Sequence, residues 1–134
     1  MINFNKNSIF NLHLIDIENV RKEVEAMLVA DEEIVMAFKT IRDQLVFTNK
    51  RIISIDVQGL TGLRKSFTTL PYHTIQYFAV QTPGFLEVFP DTEMLVMFAS
   101  GFTAKFEFKS NVDIALLTRT LSEGTLGDRH AASV

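Results

Sequence analysis

Residues 45–62 read LVFTNKRIISIDVQGLTG. Ile53, Ile55 and Val57 alternate with Ser54 and Asp56, the period of a strand with two unlike faces. Leu45, Val46 and Phe47 form a second apolar run just upstream. The polar Thr48-Asn49-Lys50-Arg51 between them predicts a turn, tightest at Asn49-Lys50, where asparagine tolerates the positive φ that a tight hairpin uses. Gly59 and Gly62 punctuate the next, wider connection. One stretch thus contains two strands, the hairpin between them and the turn toward the next strand, which sets the pattern of an antiparallel meander.

The same period extends both ways. Seven strands are predicted, at about 33–39, 42–48, 51–57, 64–70, 74–82, 93–99 and 102–109. The last alternates most cleanly, with Phe102, Ala104, Phe106 and Phe108 against Thr103, Lys105, Glu107 and Lys109, and Ser100-Gly101 supplies its turn. Thr82-Pro83-Gly84 opens the longest loop. Before the strands, Ile17, Val20, Val24, Met27 and Leu28 share one helical stripe, so a helix is predicted from an Asp16 cap to about Val29–Asp31. After them, Ile114, Leu117 and Leu121 form another, with Ser110 or Asn111 as cap and Gly124 as stop. The expected layout is a single domain over 1–134, with a core at 16–124, an arm at 1–15 and a tail at 125–134. The expected fold class is mainly β (α+β): a seven-stranded antiparallel meander too long to stay flat, curled into two crossed sheets or a partly open barrel, with the C-terminal helix plugging one end.

Composition narrows function by exclusion. Without cysteine there is no thiolate catalysis, disulfide or cysteine-bound metal. A net charge of -3 argues against a general binder of nucleic acid or anionic membranes. The start of the chain lacks a basic region followed by a long apolar core, and no apolar run approaches the roughly 20 residues that span a bilayer, so a soluble cytoplasmic protein is expected. His13, His73 and His130 share no metal-ligand spacing. Asp31-Glu32-Glu33 reads as a solvated loop without the alternating oxygen ligands of a calcium site. Gly59-Leu60-Thr61-Gly62 has GxxG spacing but joins strands, so a turn explains it. No nucleophile elbow, phosphate loop or dinucleotide fingerprint occurs, and no enzyme or cofactor is expected.

FTNKRI (47–52), QGLTG (58–62) and LPYHTI (70–75), with the Ser-Gly hairpin and closing helix, resemble the bacterial pleckstrin-homology-like (PH-like) domain family over roughly 17–123. The resemblance implies a PH-like barrel with no enzymatic activity. It also implies cyclic homo-oligomers, with five copies as the expected order, whose hydrophilic strand surface binds a still unidentified protein partner. Leu63, Gln81-Thr82-Pro83 and the stretch from Phe85 to Pro90 depart from the family's habit. Lipid-binding PH domains resemble one another in several basic residues near the first strand turn. Here Lys39-Thr40-Ile41-Arg42-Asp43 offers two basic residues and an acid, too few for a polyphosphate headgroup, so membrane lipid is not the expected partner. Acidic-lipid binding and a small-ligand barrel stand as the alternative functions.

Two sets of residues are the candidate sites. Arg42, Asp43, Asn49, Lys50 and Arg51 form an expected polar interaction patch, with Arg51 also able to pair with Asp56 or Glu33. Strands EIVMAFK and EMLVMFA are apolar on both faces, which calls for cover on both. One side can be covered by the N-terminal helix. Ile34, Met36, Met94, Val96 and Phe98 are the expected surface for a neighbouring protomer.

Overall fold

The computed structural model describes residues 8–82, 91–109 and 112–127. Among the described residues eight strands form one continuous sheet: β1 (Ser8–Ile15), β2 (Ile34–Lys39), β3 (Gln44–Thr48), β4 (Arg51–Gln58), β5 (Arg64–Pro71), β6 (Ile75–Gln81), β7 (Thr92–Phe98) and β8 (Thr103–Phe108). Among the described residues their order is β5-β4-β3-β2-β1-β8-β7-β6, with β5 and β6 outermost, and the barrel stays open. The seven predicted strands correspond to β2–β8. Ser100-Gly101 makes its turn, with Gly101 at φ 92. The long loop after Thr82 lies outside the described residues.

The expected arm is corrected: residues 8–15 are β1, the strand that joins the two halves of the sheet. Ser8 to Leu12 run parallel to β8, and His13 to Ile15 run antiparallel to β2. The changeover falls at Asn11, whose φ of 58 lets the strand shift register between Ile9 and Leu12. Sequence periodicity alone did not reveal a strand that pairs one half with each sheet.

The N-terminal helix is shorter than predicted. A 3₁₀ turn at Ile17–Asn19 is followed by α1 (Lys22–Met27), with Val20 and Arg21 extended between them. Val20 and Val24 nevertheless do what the helical stripe implied. With Ala37, Val46, Ile53 and Ile55 they form a core on the outer face of β2–β4, and Ile34 packs against it. The larger core fills the barrel interior. Phe38, Phe47, Phe106 and Phe108 meet there, with Phe38 and Phe108 rings 4.7 Å apart. β4 is therefore buried on both faces, not half-solvated, because Ile52 enters one core while Ile53 and Ile55 enter the other.

α2 (Ile114–Leu126) buries Leu117 and Leu121 in the barrel core. Asp113 caps it, its carboxylate accepting the Leu116 N–H at 3.0 Å, and takes the role expected of Ser110 or Asn111. Asp113→Ala should cost about 1 kcal/mol of stability in urea unfolding, the value of a lost side-chain cap. The helix continues through Gly124 to Leu126, so Gly124 is not a stop. A Cβ added at Gly124 would clash with the Tyr72 side chain.

Candidate functional site

The Thr48–Arg51 turn faces inward, onto Glu32. The Glu32 side chain is fully buried and Arg51 nearly so, and their ion pair closes at 2.9 Å from Nε to Oε2. The second guanidinium arm donates to Glu32 Oε1 at 3.0 Å and to the Met27 carbonyl at 2.8 Å, and the third reaches Thr69 Oγ1 at 3.1 Å. The Thr48 hydroxyl donates to Glu32 Oε2 at 2.7 Å and accepts the Lys50 and Arg51 N–H groups. Asn49 accepts from Glu33 N–H and donates to the Asp31 carbonyl. The positive φ falls on Asp31, at 62, and not on Asn49, whose side chain instead ties the hairpin to the loop entering β2. Tyr72 completes the assembly, its hydroxyl donating to the Thr48 carbonyl at 2.7 Å.

Two expectations are corrected here. Arg51 pairs with Glu32, not with Asp56 or Glu33. Glu32 leaves the solvated acidic loop and goes inside, where a charge needs this dense set of donors. Burial pushes its carboxyl up, but Arg51, the Thr48 hydroxyl and the Val29 N–H together hold it below the usual carboxylate range. Burial, and then the Glu32 charge, pushes the Tyr72 phenol up, so it stays protonated.

The five-residue polar patch does not form one surface. Arg42 and Asp43 precede β3 while Asn49, Lys50 and Arg51 follow it, so roughly 17 Å of strand separates them. Arg51 is committed to Glu32 and Asn49 to the backbone of Asp31 and Glu33, which leaves Lys50 as the exposed charged side chain of that turn.

Arg42 and Asp43 belong to a different feature. The Arg42 guanidinium donates to the Gly59 carbonyl, and Asp43 Oδ1 accepts the Val57 N–H at 2.8 Å. These bonds hold the β2–β3 and β4–β5 turns side by side. At their tips Ile41 and Leu60 are fully exposed and Leu63 is 82% exposed. Sequence reasoning marked Leu63 only as a departure from the family's habit and passed over Ile41 and Leu60. The signal was present, because an aliphatic residue inside a turn cannot reach a core.

The expected protomer interface is also corrected. Met94, Val96 and Phe98 point into the barrel and are buried there, and Met36 is buried with them. Ile34 is spent against the α1 core. The opposite face of the same strands is the open one. Tyr77 is 50% exposed, Ala79 is exposed, and Leu95 and Met97 are half-buried. Register places Leu95 beside Ala79 and Met97 beside Tyr77. A notch of about 240 Å³ opens over Ala79, Leu95, Glu93 and Lys105. Beside it Lys109 lies 2.7 Å from Asp91 and 3.6 Å from Glu107, while Lys105 lies 3.5 Å from Glu93. Burial and the neighbouring Asp91 push the Glu107 carboxyl up, whereas the bond to Lys109 holds Asp91 down.

A second recess, of about 340 Å³, lies between β1, β2 and the start of α2, lined chiefly by Leu14, Ile17, Val35, Phe38 and Leu116. Among the described residues no His, Asp or Glu cluster could hold a metal, and no helix is long and apolar enough to cross a membrane.

An open, mostly antiparallel barrel of two joined sheets with a helix in its mouth defines a PH-like domain, and solved structures agree. A DUF1696-family protein with a pleckstrin-homology domain from Shewanella loihica aligns with a TM-score of 0.71 and 29% identity, over 87% of this chain and 99% of that one. A pleckstrin homology domain from Shewanella amazonensis gives 0.60 and 32%, over 84% and 90%. The chain belongs to the bacterial PH domain family, whose model matches residues 3–125. It is similar to two uncharacterized proteins of Bacillus subtilis. YozO is 38% identical over 102 residues, 76% of this chain and 86% of the relative, and YjqA is 32% identical over 103 residues, 77% and 82%. None of these names denotes an enzyme.

Proposed function

We propose that this chain is a non-enzymatic PH-like module that assembles with copies of itself into a closed ring and presents that ring to a protein partner. The observation that carries the reading is the outer face of β6–β7, which the described residues leave open. α1 shields the equivalent face of β2–β4. Among the described residues nothing shields Tyr77, Ala79, Leu95 and Met97, which lie beside the edge strand β6. A row of apolar side chains along an open edge is a surface that proteins normally cover. Ring closure suits a single-domain chain, because repetition around an axis turns weak partner contacts into avid ones.

The test is molar mass by light scattering on a sizing column across a dilution series. The expected result is a stable multiple of the 15.2 kDa chain, with five copies as the expected order. A single-chain mass at every concentration would overturn the proposal.

A further inference from the structure

We infer that the recess beside the Glu32–Arg51 pair binds a small monoanionic carboxylate with an apolar body. The recess has a volume of about 270 Å³, and Val29, Lys50, Arg51, Thr69 and Pro71 wall it above the buried Glu32. All of these residues belong to one chain, so the site stands whether or not copies assemble.

The lock supplies the donors. A guanidinium carries five N–H groups. Arg51 spends three on Glu32 and the Met27 carbonyl, and a fourth, from Nη1, on Thr69. The fifth, also on Nη1, has no partner among the described residues. Because Glu32 and Met27 hold the guanidinium still, this donor is in position before a ligand arrives. The Thr69 hydroxyl accepts from Nη1, which leaves its own hydrogen to donate. Lys50 is exposed on the adjoining turn, and its ammonium has no ion pair among the described residues. A guanidinium, a hydroxyl and an ammonium therefore border one small space, a donor set that recognises an oxyanion.

Charge and shape narrow the class. Glu32 cancels the charge of Arg51, and its oxygens already accept from Arg51, Thr48 and Val29. Lys50 then leaves one positive charge, which a carboxylate balances and a phosphate monoester, with close to two negative charges, exceeds. Val29, 58% exposed, and Pro71 offer apolar surface that a ligand's hydrocarbon would cover. A free organic acid and the end of a peptide chain present the same head to these donors.

Saturation-transfer NMR on the full chain tests the inference, with isocaproate and N-acetyl-leucine as probes. Both should receive transfer at their methyl groups. Acetate, which lacks the apolar body, and N-acetyl-leucinamide, which lacks the charge, should receive little. A preference of about tenfold for N-acetyl-leucine would assign the site to a peptide end, and equal or tighter binding of isocaproate to a free acid. Lys50→Glu should abolish the transfer, and Thr69→Val should weaken binding about tenfold, the value of a hydrogen bond to a charged group. Both positions are exposed, so both variants should keep the wild-type circular dichroism. No transfer to either acid, transfer that survives Lys50→Glu, or an equal response from the amide would overturn the inference and leave the self-association reading untouched. Displacement of the acids by an equal concentration of inorganic phosphate would overturn the choice of a carboxylate.

Discussion

Replacing Arg51 with alanine should destabilise the fold by about 3–5 kcal/mol, the cost of breaking a buried ion pair by removing one partner. The side chain left behind is Glu32, fully buried, which loses both of its guanidinium bonds. Its remaining donors, the Thr48 hydroxyl and the Val29 N–H, cannot neutralise the charge. The same substitution frees the Met27 carbonyl and so loosens the end of α1 from the β3–β4 hairpin. Arg51→Lys should recover only part of the loss, because an ammonium cannot span both Glu32 oxygens, Met27 and Thr69 at once. Urea unfolding reads the effect directly, and a loss below about 1 kcal/mol would show that the lock is not closed in solution.

The pH dependence of that loss identifies its cause. In the wild type the folded Glu32 carboxyl titrates below its unfolded value of about 4.3. Its stabilisation is therefore fully present above that value and is lost as pH falls through the lower, folded pKa. Without Arg51, only the Thr48 hydroxyl and the Val29 N–H oppose burial, and the folded pKa should rise above the unfolded one. The variant's Glu32 is then best tolerated when protonated, and its contribution falls away as pH rises through the raised pKa. Wild type and variant should thus lie closest in acid and diverge from about pH 4 upward. A gap that does not change with pH would place the damage in packing and not in the charge.

Gly124→Ala should destabilise by about 1–3 kcal/mol, although alanine is the better helix former by about 1 kcal/mol. An added Cβ would lie 2.5 Å from Tyr72 Cβ and closer still to its ring. The ring cannot swing away, since Tyr72 is fully buried and its hydroxyl is held at 2.7 Å by the Thr48 carbonyl. α2 must then retreat from the barrel mouth, carrying Leu117 and Leu121 with it. Pairing Gly124→Ala with Tyr72→Leu should give a loss smaller than the sum of the two single losses, because each substitution relieves part of the other's strain. Strict additivity, or a stabilising Gly124→Ala, would show that α2 and the Tyr72–Thr74 turn between β5 and β6 do not touch there.

How far the sequence led depends on whether a feature is local. Periods of two and 3.6 placed β2–β8 within about two residues and gave the C-terminal helix its buried stripe, because each register repeats within a few neighbours. β1 stayed hidden, since a strand that changes partners at Asn11 has no single alternation to display. Among the candidate site residues, apolar strands were recognised as two-faced, but the face left open was not. Met94, Val96 and Phe98 share β7 with Leu95 and Met97, and only closure of the barrel decides which set goes inside.

Thr48–Arg51 shows the division most clearly. By itself the sequence determined that a hairpin turns there and that polar residues make it. Only the tertiary structure decided that Arg51 turns inward, because its partner lies nineteen positions away in a loop that reads as solvated. A buried carboxylate becomes tolerable when donors from Thr48, Arg51 and Val29 converge on it, and convergence of distant segments is a property of the fold, not of any local stretch. The exposed tips follow the same logic in reverse. The sequence placed aliphatic residues in turns, and the fold, through the bond from Arg42 to Gly59, set two such turns side by side as one surface.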